Sequence, residues 1–353
     1  MNYDVAPFIA IWETTQACAL ACAHCRAEAM DRRHPDELTT GEGIELIREV
    51  ADMGTKIFVF SGGDPLQRPD LEVLVRAASA RMRVGTIPAA TDRITPERVA
   101  SLKAAGLHQI AFSVDHADPE RHDGFRGVPG SYACAMRGVE IAREAGLPFQ
   151  INTVFGAWNA GDFDAICALV ERLGVAFWEI FFLVPTGRGA ALACVPPERH
   201  DELFAKIHAL QKRAGFIVKI TEAPHYRAYV AEREGGAARR MLARETGPGG
   251  SMGQAPRGVN SGKGFVFIGH TGDVYPSGFL PIRAGNVRET RPAGIYRDAP
   301  LFRELRDASR LGGRCGACRY RELCGGSRSR AYALTGDPMA EDPHCPYVFA
   351  PLA

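Results

Sequence analysis

Three cysteines fall within eight consecutive residues, Cys18, Cys22 and Cys25, separated by three and then two residues. Three thiolates are one short of the closed tetrahedral shell of a structural zinc site, and the nearest further donor, His24, is wedged between cysteines. A 4Fe-4S cluster held by three thiolates leaves one iron free to bind a reactant, so iron fits this triplet better than zinc. A second set, Cys315, Cys318, Cys324 and Cys345, supplies four thiolates with intervals of two, five and twenty residues. Four thiolates can close either a zinc ribbon or a 4Fe-4S cluster, and spacing alone leaves both open. Cys134, Cys167 and Cys194 have no paired partners in sequence. The first two lie in helical stretches and read as buried small apolar residues, whereas Cys194, in a loop, is more open to a site role. Proton-transfer groups cluster once, in Thr221-Glu222-Ala223-Pro224-His225-Tyr226, where Glu222 or His225 could move a proton at a substrate and a hydrogen-bonded turn is the competing reading.

The elements that must position these groups alternate. Short apolar or β-branched runs predict strands over residues 8–12, 56–60, 83–87, 108–114, 148–154 and 176–184, with helix-length amphipathic segments between them. Thr39 with Glu42 three residues on, and Thr95-Pro96-Glu97, are helix-start signals; Gly106, Gly146 and Gly174 are helix-stop signals. Six such units with right-handed crossovers predict an α/β fold, a partial (β/α)6 TIM-like barrel, with its ligand site at the C-terminal ends of the strands. Residues 1–231 are read as this barrel and 232–258, rich in Gly and Arg, as a linker or lid. Residues 259–353 are then a small C-terminal α+β unit, opened by a β-hairpin over 265–275 with a helix-like piece from 300 to 307.

Composition excludes several classes. The chain has 353 residues, 46% hydrophobic and 24% charged, with a net charge of +1, so no global field draws it to nucleic acid or an anionic membrane. Residues 227–330 hold 19 Lys and Arg against 9 Asp and Glu, which reads first as a solvated arginine-rich surface. No spanning helix or secretory signal is expected, so the expected location is cytoplasmic, where thiols stay reduced and favour metal over disulfides.

The segment Ala17-Cys-Ala-Leu-Ala-Cys-Ala-His-Cys25 resembles the signature of the radical S-adenosylmethionine (SAM) superfamily, with His24 as the aromatic residue before the third cysteine. Ser61-Gly62-Gly63-Asp64-Pro65 is similar to that family's Gly-Gly-Glu-Pro turn, which meets the amino group of SAM; Asp64 is one methylene shorter than the usual Glu. Phe112-Ser113-Val114-Asp115, His122 to Gly127, and Gln150-Ile151-Asn152-Thr153 resemble its segments around the ribose and methionine of SAM. The resemblance therefore implies His24, Gly62, Gly63, Asp64, Ser113, Asp115, Arg126 and Asn152 as SAM-binding residues. It also implies Cys18, Cys22 and Cys25 as ligands of a SAM-binding 4Fe-4S cluster. The cysteine-rich end resembles the SPASM domain, which implies one auxiliary 4Fe-4S cluster on Cys315, Cys318, Cys324 and Cys345. Ser277 and Arg328 stand where fuller SPASM domains have further cysteines, so a second auxiliary cluster is not expected.

The implied chemistry is reductive cleavage of SAM to a 5′-deoxyadenosyl radical that takes a hydrogen atom from an unactivated carbon. The end segment is similar to those of peptide maturases of the mycofactocin type and of enzymes that modify tetrapyrrole side chains in haem and haem d1 synthesis. Expected partners are a small-molecule or peptide substrate, a reductant such as flavodoxin or ferredoxin, and a separate peptide-recognition protein if the substrate is a peptide, because only seven residues precede the first predicted strand. A non-catalytic iron-sulfur scaffold or electron carrier is the alternative from another class.

Overall fold

The computed structural model describes residues 1–235, 252 and 258–348. Most of the segment read as a linker or lid lies outside the described residues. The barrel part runs β1 (Ile9–Glu13), α1 (Thr40–Asp52), β2 (Ile57–Ser61), α2 (Leu71–Ser79), β3 (Arg83–Thr86), α3 (Pro96–Ala104) and β4 (Gln109–Ser113). It continues through α4 (Pro119–Arg126), α5 (Ser131–Glu144), β5 (Phe149–Phe155), α6 (Phe163–Leu173), β6 (Phe177–Phe182), α7 (His200–Arg213), β7 (Ile217–Thr221) and α8 (His225–Glu234). The C-terminal part contains β8 (Phe265–Ile268), β9 (Asp273–Tyr275), β10 (Gly285–Asn286), α9 (Pro292–Asp298), α10 (Pro300–Arg306), α11 (Gly313–Ala317) and α12 (Arg328–Thr335).

All the strands join one sheet in the order β10-β9-β8-β1-β2-β3-β4-β5-β6-β7, parallel from β8 through β7. One feature differs from the sequence expectation of six units: a seventh parallel strand, β7, pairs with β6. The C-terminal hairpin joins the same sheet, with Phe265 to Ile268 in parallel register beside Ile9 to Trp12. The hairpin itself forms as expected, with Phe267 opposite Tyr275. Helix α8 continues to Glu234, past the expected end of the barrel unit at 231.

Helix starts follow their sequence signals. Thr39 and Glu42 form a reciprocal capping box on α1, and Thr95 Oγ1 accepts from Arg98 N at 3.2 Å on α3. Strand residues alternate between two destinations. Ala10, Trp12, Phe58 and Phe60 pack outward under the helices, while Ile9, Ile11, Ile57 and Val59 face the lumen. Being covered on both faces is the reason these strands read as continuous apolar runs. Helix α1 can lie close to β1 because it has Gly43 at the crossing, where a Cβ would fall 2.6 Å from the Trp12 ring.

Candidate active site

The chain leaves β1 into a loop that carries the first cysteine set, and this loop is tied down on several sides. Cys18 N donates to Met30 O at 2.8 Å, Ala21 N to Arg126 O at 3.2 Å and Ala23 N to Phe125 O at 2.9 Å. Arg188 Nε donates to Cys22 O at 3.0 Å, which adds a tether from the segment after β6. Cys18, Cys22 and Cys25 line one cavity of about 200 Å³, at the C-terminal ends of the strands, together with His24, Gly62, Gly63, Ser113, Arg126 and Asn152. Six of the eight residues implied for SAM binding therefore share one cavity with the triplet.

The other two, Asp64 and Asp115, stand behind its wall. Asp64 is fully buried and caps a short 3-10 turn, accepting from Leu66 N at 3.1 Å, Ala89 N at 3.3 Å and Thr91 Oγ1 at 3.3 Å. Its short side chain is engaged in holding the segment whose Ala89 and Ala90 line the cavity, and burial raises its pKa to about 6. Asp115 is also fully buried, pairs with Arg126 and accepts from Val154 N at 2.9 Å. Burial opposes its ionisation, yet the adjacent guanidinium holds its pKa below the usual carboxylate value. The glycine pair is required by crowding against the cysteine loop. A Cβ on Gly62 would lie 2.6 Å from Thr15 O, and one on Gly63 would lie 2.5 Å from the carbonyl oxygens of Gln16 and Ala17.

The donor set fits an iron-sulfur cluster. Burial pushes the Cys18 thiol up to about 12, a state that coordination to iron would reverse. Leu20 N points at Cys18 Sγ at 3.3 Å, and Arg126 Nη1 lies 3.7 Å from Cys22 Sγ. Both donors favour thiolate over thiol. His24 stacks on Phe125 with ring centroids 4.7 Å apart, and burial holds its pKa down to about 4, so it is a neutral wall. Among the described residues no three Cys, His, Asp or Glu side chains converge on a single point as ligands of one metal ion would. A cluster does not require that convergence, since each thiolate meets a different iron.

The lumen below holds a second cavity, of about 150 Å³, which shares Ile87, Phe181 and Phe279 with the first. Sequence reasoning missed its polar floor. Glu179 on β6 accepts from Lys219 Nζ and Thr221 Oγ1, both at 2.7 Å, and from Gln150 Nε2 at 2.9 Å. Gln150 in turn donates to Asn152 Oδ1 at 2.5 Å, linking this floor to the wall of the first cavity. The signal was polar residues two apart on one face, Gln150 and Asn152 on β5 and Lys219 and Thr221 on β7, with Glu179 set in the otherwise apolar β6. Glu222 lines the same lumen with a left-handed φ of 61° and is hydrogen-bonded by Ser327 Oγ and by Ser329 Oγ at 3.1 Å. Burial raises its pKa.

His225 goes elsewhere. It is fully buried and lines a third cavity, of about 190 Å³, with Cys315, Cys318, Cys324 and Cys345, so the structure separates it from the lumen that Glu222 faces. Backbone amides point at three of these sulfurs, each at 3.4 Å: Asp342 N at Cys315, Tyr320 N at Cys318 and Gly326 N at Cys324. Among the described residues neither buried ring nitrogen of His225 has a hydrogen-bond partner, and burial keeps the ring neutral. Such donors suit a group rich in sulfur acceptors, so this pocket also fits a cluster. Cys134, Cys167 and Cys194 line none of these three cavities.

Comparison with known proteins agrees with this geometry. Residues 12–170 match the family model described as the radical SAM superfamily. The chain is 40% identical over 339 residues to the AdoMet-dependent heme synthase of Nitratidesulfovibrio vulgaris, covering 95% of this chain and 91% of that protein. It is 33% identical to the mycofactocin maturase MftC of Mycobacterium ulcerans, covering 96% and 88%. In fold it is similar to Streptococcus suis SuiB bound to S-adenosylmethionine, with a TM-score of 0.71 at 15% identity, over 97% of this chain and 78% of that one. With a three-cysteine loop at the mouth of a parallel barrel and full-length relatives of this kind, the chain belongs to the radical SAM superfamily and is an enzyme that uses SAM and a 4Fe-4S cluster.

Proposed function

We propose that this radical SAM enzyme activates a C-H bond on a carboxylate-bearing side chain of a tetrapyrrole, as part of haem-type cofactor synthesis. The observation that carries the reading is the lumen cavity abutting the triplet's cavity through Ile87, Phe181 and Phe279. Its volume of about 150 Å³ suits one side chain presented to the SAM site rather than a whole macrocycle, and its walls carry the cations Lys219 and Arg227 beside the acids Glu179 and Glu222. The 40% identical relative is named a heme synthase, which favours a tetrapyrrole over the peptide that the maturase likeness suggests. Enzymes of both kinds among the relatives set aside a purely structural iron-sulfur role.

When bound, the reduced cluster and SAM supply a 5′-deoxyadenosyl radical. In this reading Cys18, Cys22 and Cys25 hold the cluster, and Arg126, fixed by Asp115, steadies Cys22. Gly62, Gly63, His24, Ser113 and Asn152 form the SAM walls, with Asp64 shaping them from behind. The apolar walls above the polar floor keep water from the reacting carbon. In the same reading Glu222, on the lumen wall, takes or gives a proton there. Cys315, Cys318, Cys324 and Cys345 hold one auxiliary 4Fe-4S cluster in a C-terminal unit of residues 259–353 that follows the barrel of residues 1–231. A flavodoxin- or ferredoxin-type protein of the cytoplasm is the electron donor. Among the described residues no helix is long and apolar enough to cross a membrane.

The test is anaerobic reconstitution, reduction with dithionite, and addition of SAM with either a porphyrin carrying propionate side chains or a short peptide. Formation of 5′-deoxyadenosine coupled to a mass change in the porphyrin is the expected result. Coupling to the peptide alone would overturn the tetrapyrrole assignment.

A further inference from the structure

A buried arginine comes within reach of a sulfur in each cysteine set, with Arg227 a further cation beside Cys324 at the second, and the two sulfur-facing arginines differ in how their charge is balanced. Arg126 Nη1 lies 3.7 Å from Cys22 Sγ, and Arg328 Nη2 lies 3.7 Å from Cys315 Sγ. Asp115 answers the charge of Arg126. Arg328, 1% exposed, has no such partner among the described residues. Its other contacts are carbonyl oxygens: Gly326 O at 3.4 Å from Nε, and Pro338 O at 2.8 Å and Ala340 O at 2.6 Å from Nη1. The acids nearby are already engaged. Asp342 is held by Arg330 Nη2 at 2.9 Å and Nε at 3.0 Å, and Glu341 by Arg314 Nε at 3.1 Å.

Carbonyls satisfy the N-H groups of a guanidinium but leave its net charge unanswered, and a buried unpaired cation is costly. Among the described residues, the remaining groups facing Arg328 that can carry negative charge are the cysteines of the second set, beginning with Cys315. Gly326 makes the approach possible, since a Cβ there would fall 2.4 Å from Arg328 Nη2 and 3.0 Å from Cys315 Sγ. We infer that Arg328 is the counter-ion of the C-terminal cluster and raises its reduction potential, an inference that rests on the auxiliary-cluster reading above. One electron taken up by the cluster adds negative charge beside a fixed cation in a medium of low dielectric, so the reduced state is favoured. At the first set the charge of Arg126 is answered by Asp115, while Arg188 Nε lies on Cys22 O at 3.0 Å, farther from the sulfurs.

The experiment uses the full chain with Cys18, Cys22 and Cys25 replaced by Ala, so that only the C-terminal cluster remains. This background should retain about four irons per chain. Failure to bind iron in this background would refute the auxiliary cluster itself, a result separate from the role of Arg328. An EPR-monitored titration with dithionite then compares Arg328→Gln and Arg328→Lys in the same background. Arg328→Gln keeps hydrogen-bonding groups without the charge and should change the oxidised-to-reduced ratio at a fixed potential at least tenfold, a midpoint lower by about 59 mV for one electron. Arg328→Lys should titrate close to the parent. If the Gln variant loses its iron while the Lys variant keeps both iron and midpoint, the charge requirement is supported. An unchanged midpoint in Arg328→Gln, a lowered midpoint in Arg328→Lys, or loss of iron from both would overturn the proposal.

Discussion

Lys219 is the residue on which the substrate reading can be tested most directly. Its ammonium lies 2.7 Å from Glu179 Oε1 on the lumen floor, one of two bonds that carboxylate oxygen accepts. A substrate carboxylate entering the lumen would compete for that cation, and a hydrogen bond to a charged group is worth about 1.5–3 kcal/mol. Lys219→Met should therefore raise KM for the substrate about tenfold or more, while substrate-free cleavage of SAM, followed as 5′-deoxyadenosine, stays near the parent rate. Equal losses in both assays would mean that the residue supports the barrel and does not read the substrate. The cysteines give a sharper contrast. Cys18→Ala should abolish SAM cleavage and lower iron from about eight to about four per chain, because the remaining set still holds its own cluster.

At the level of elements, the glycine turn after β2 and the cysteine loop after β1 form one packed unit. Gly63 N donates to Thr15 O and Asp64 N to Ala17 O, both at 2.7 Å, and there is no room for a Cβ on Gly63. Gly63→Ala must push the backbone of Gln16 and Ala17 aside, immediately before Cys18. The expected result is a protein that folds, as judged by far-ultraviolet circular dichroism, but reconstitutes less than half of its first cluster and binds SAM at least tenfold more weakly. Both segments were legible in sequence, because a close backbone approach and a three-thiolate loop each leave a local signature. Strand β7 was not. Its Lys219 and Thr221 point into the lumen, which breaks the apolar run expected of a strand buried on both faces. The surroundings of Asp64, His225 and Arg328 were hidden for a related reason. Each depends on which side of a wall the residue faces, and contacts such as Arg328 with Cys315 form only after distant turns have packed.

For the whole molecule, the C-terminal part is joined to the barrel by strand pairing and by buried charge. Strand β8 lies beside β1, and Tyr296 on α9 donates its hydroxyl to Tyr3 O at 2.7 Å. Arg330 on α12 reaches Leu183 O, just after β6, at 3.5 Å while paired with the fully buried Asp342. Burial opposes ionisation of Asp342, but Arg330 holds its pKa far below the usual carboxylate value. The sign follows from that depression. The pair's contribution is complete above the unfolded carboxylate pKa, about 3.9, and is lost as pH falls from there through the folded value. Asp342→Asn leaves Arg330 buried without its anion, a change that costs about 3–5 kcal/mol. Urea unfolding at pH 7 should show that gap between parent and variant, with one cooperative transition in the parent because sheet and ion pair join the two parts. Repeated at stepwise lower pH, the gap should stay constant to about pH 4 and close below it as the parent loses the same charge. A gap that is constant down to pH 3 would mean the pair's worth is packing and not charge.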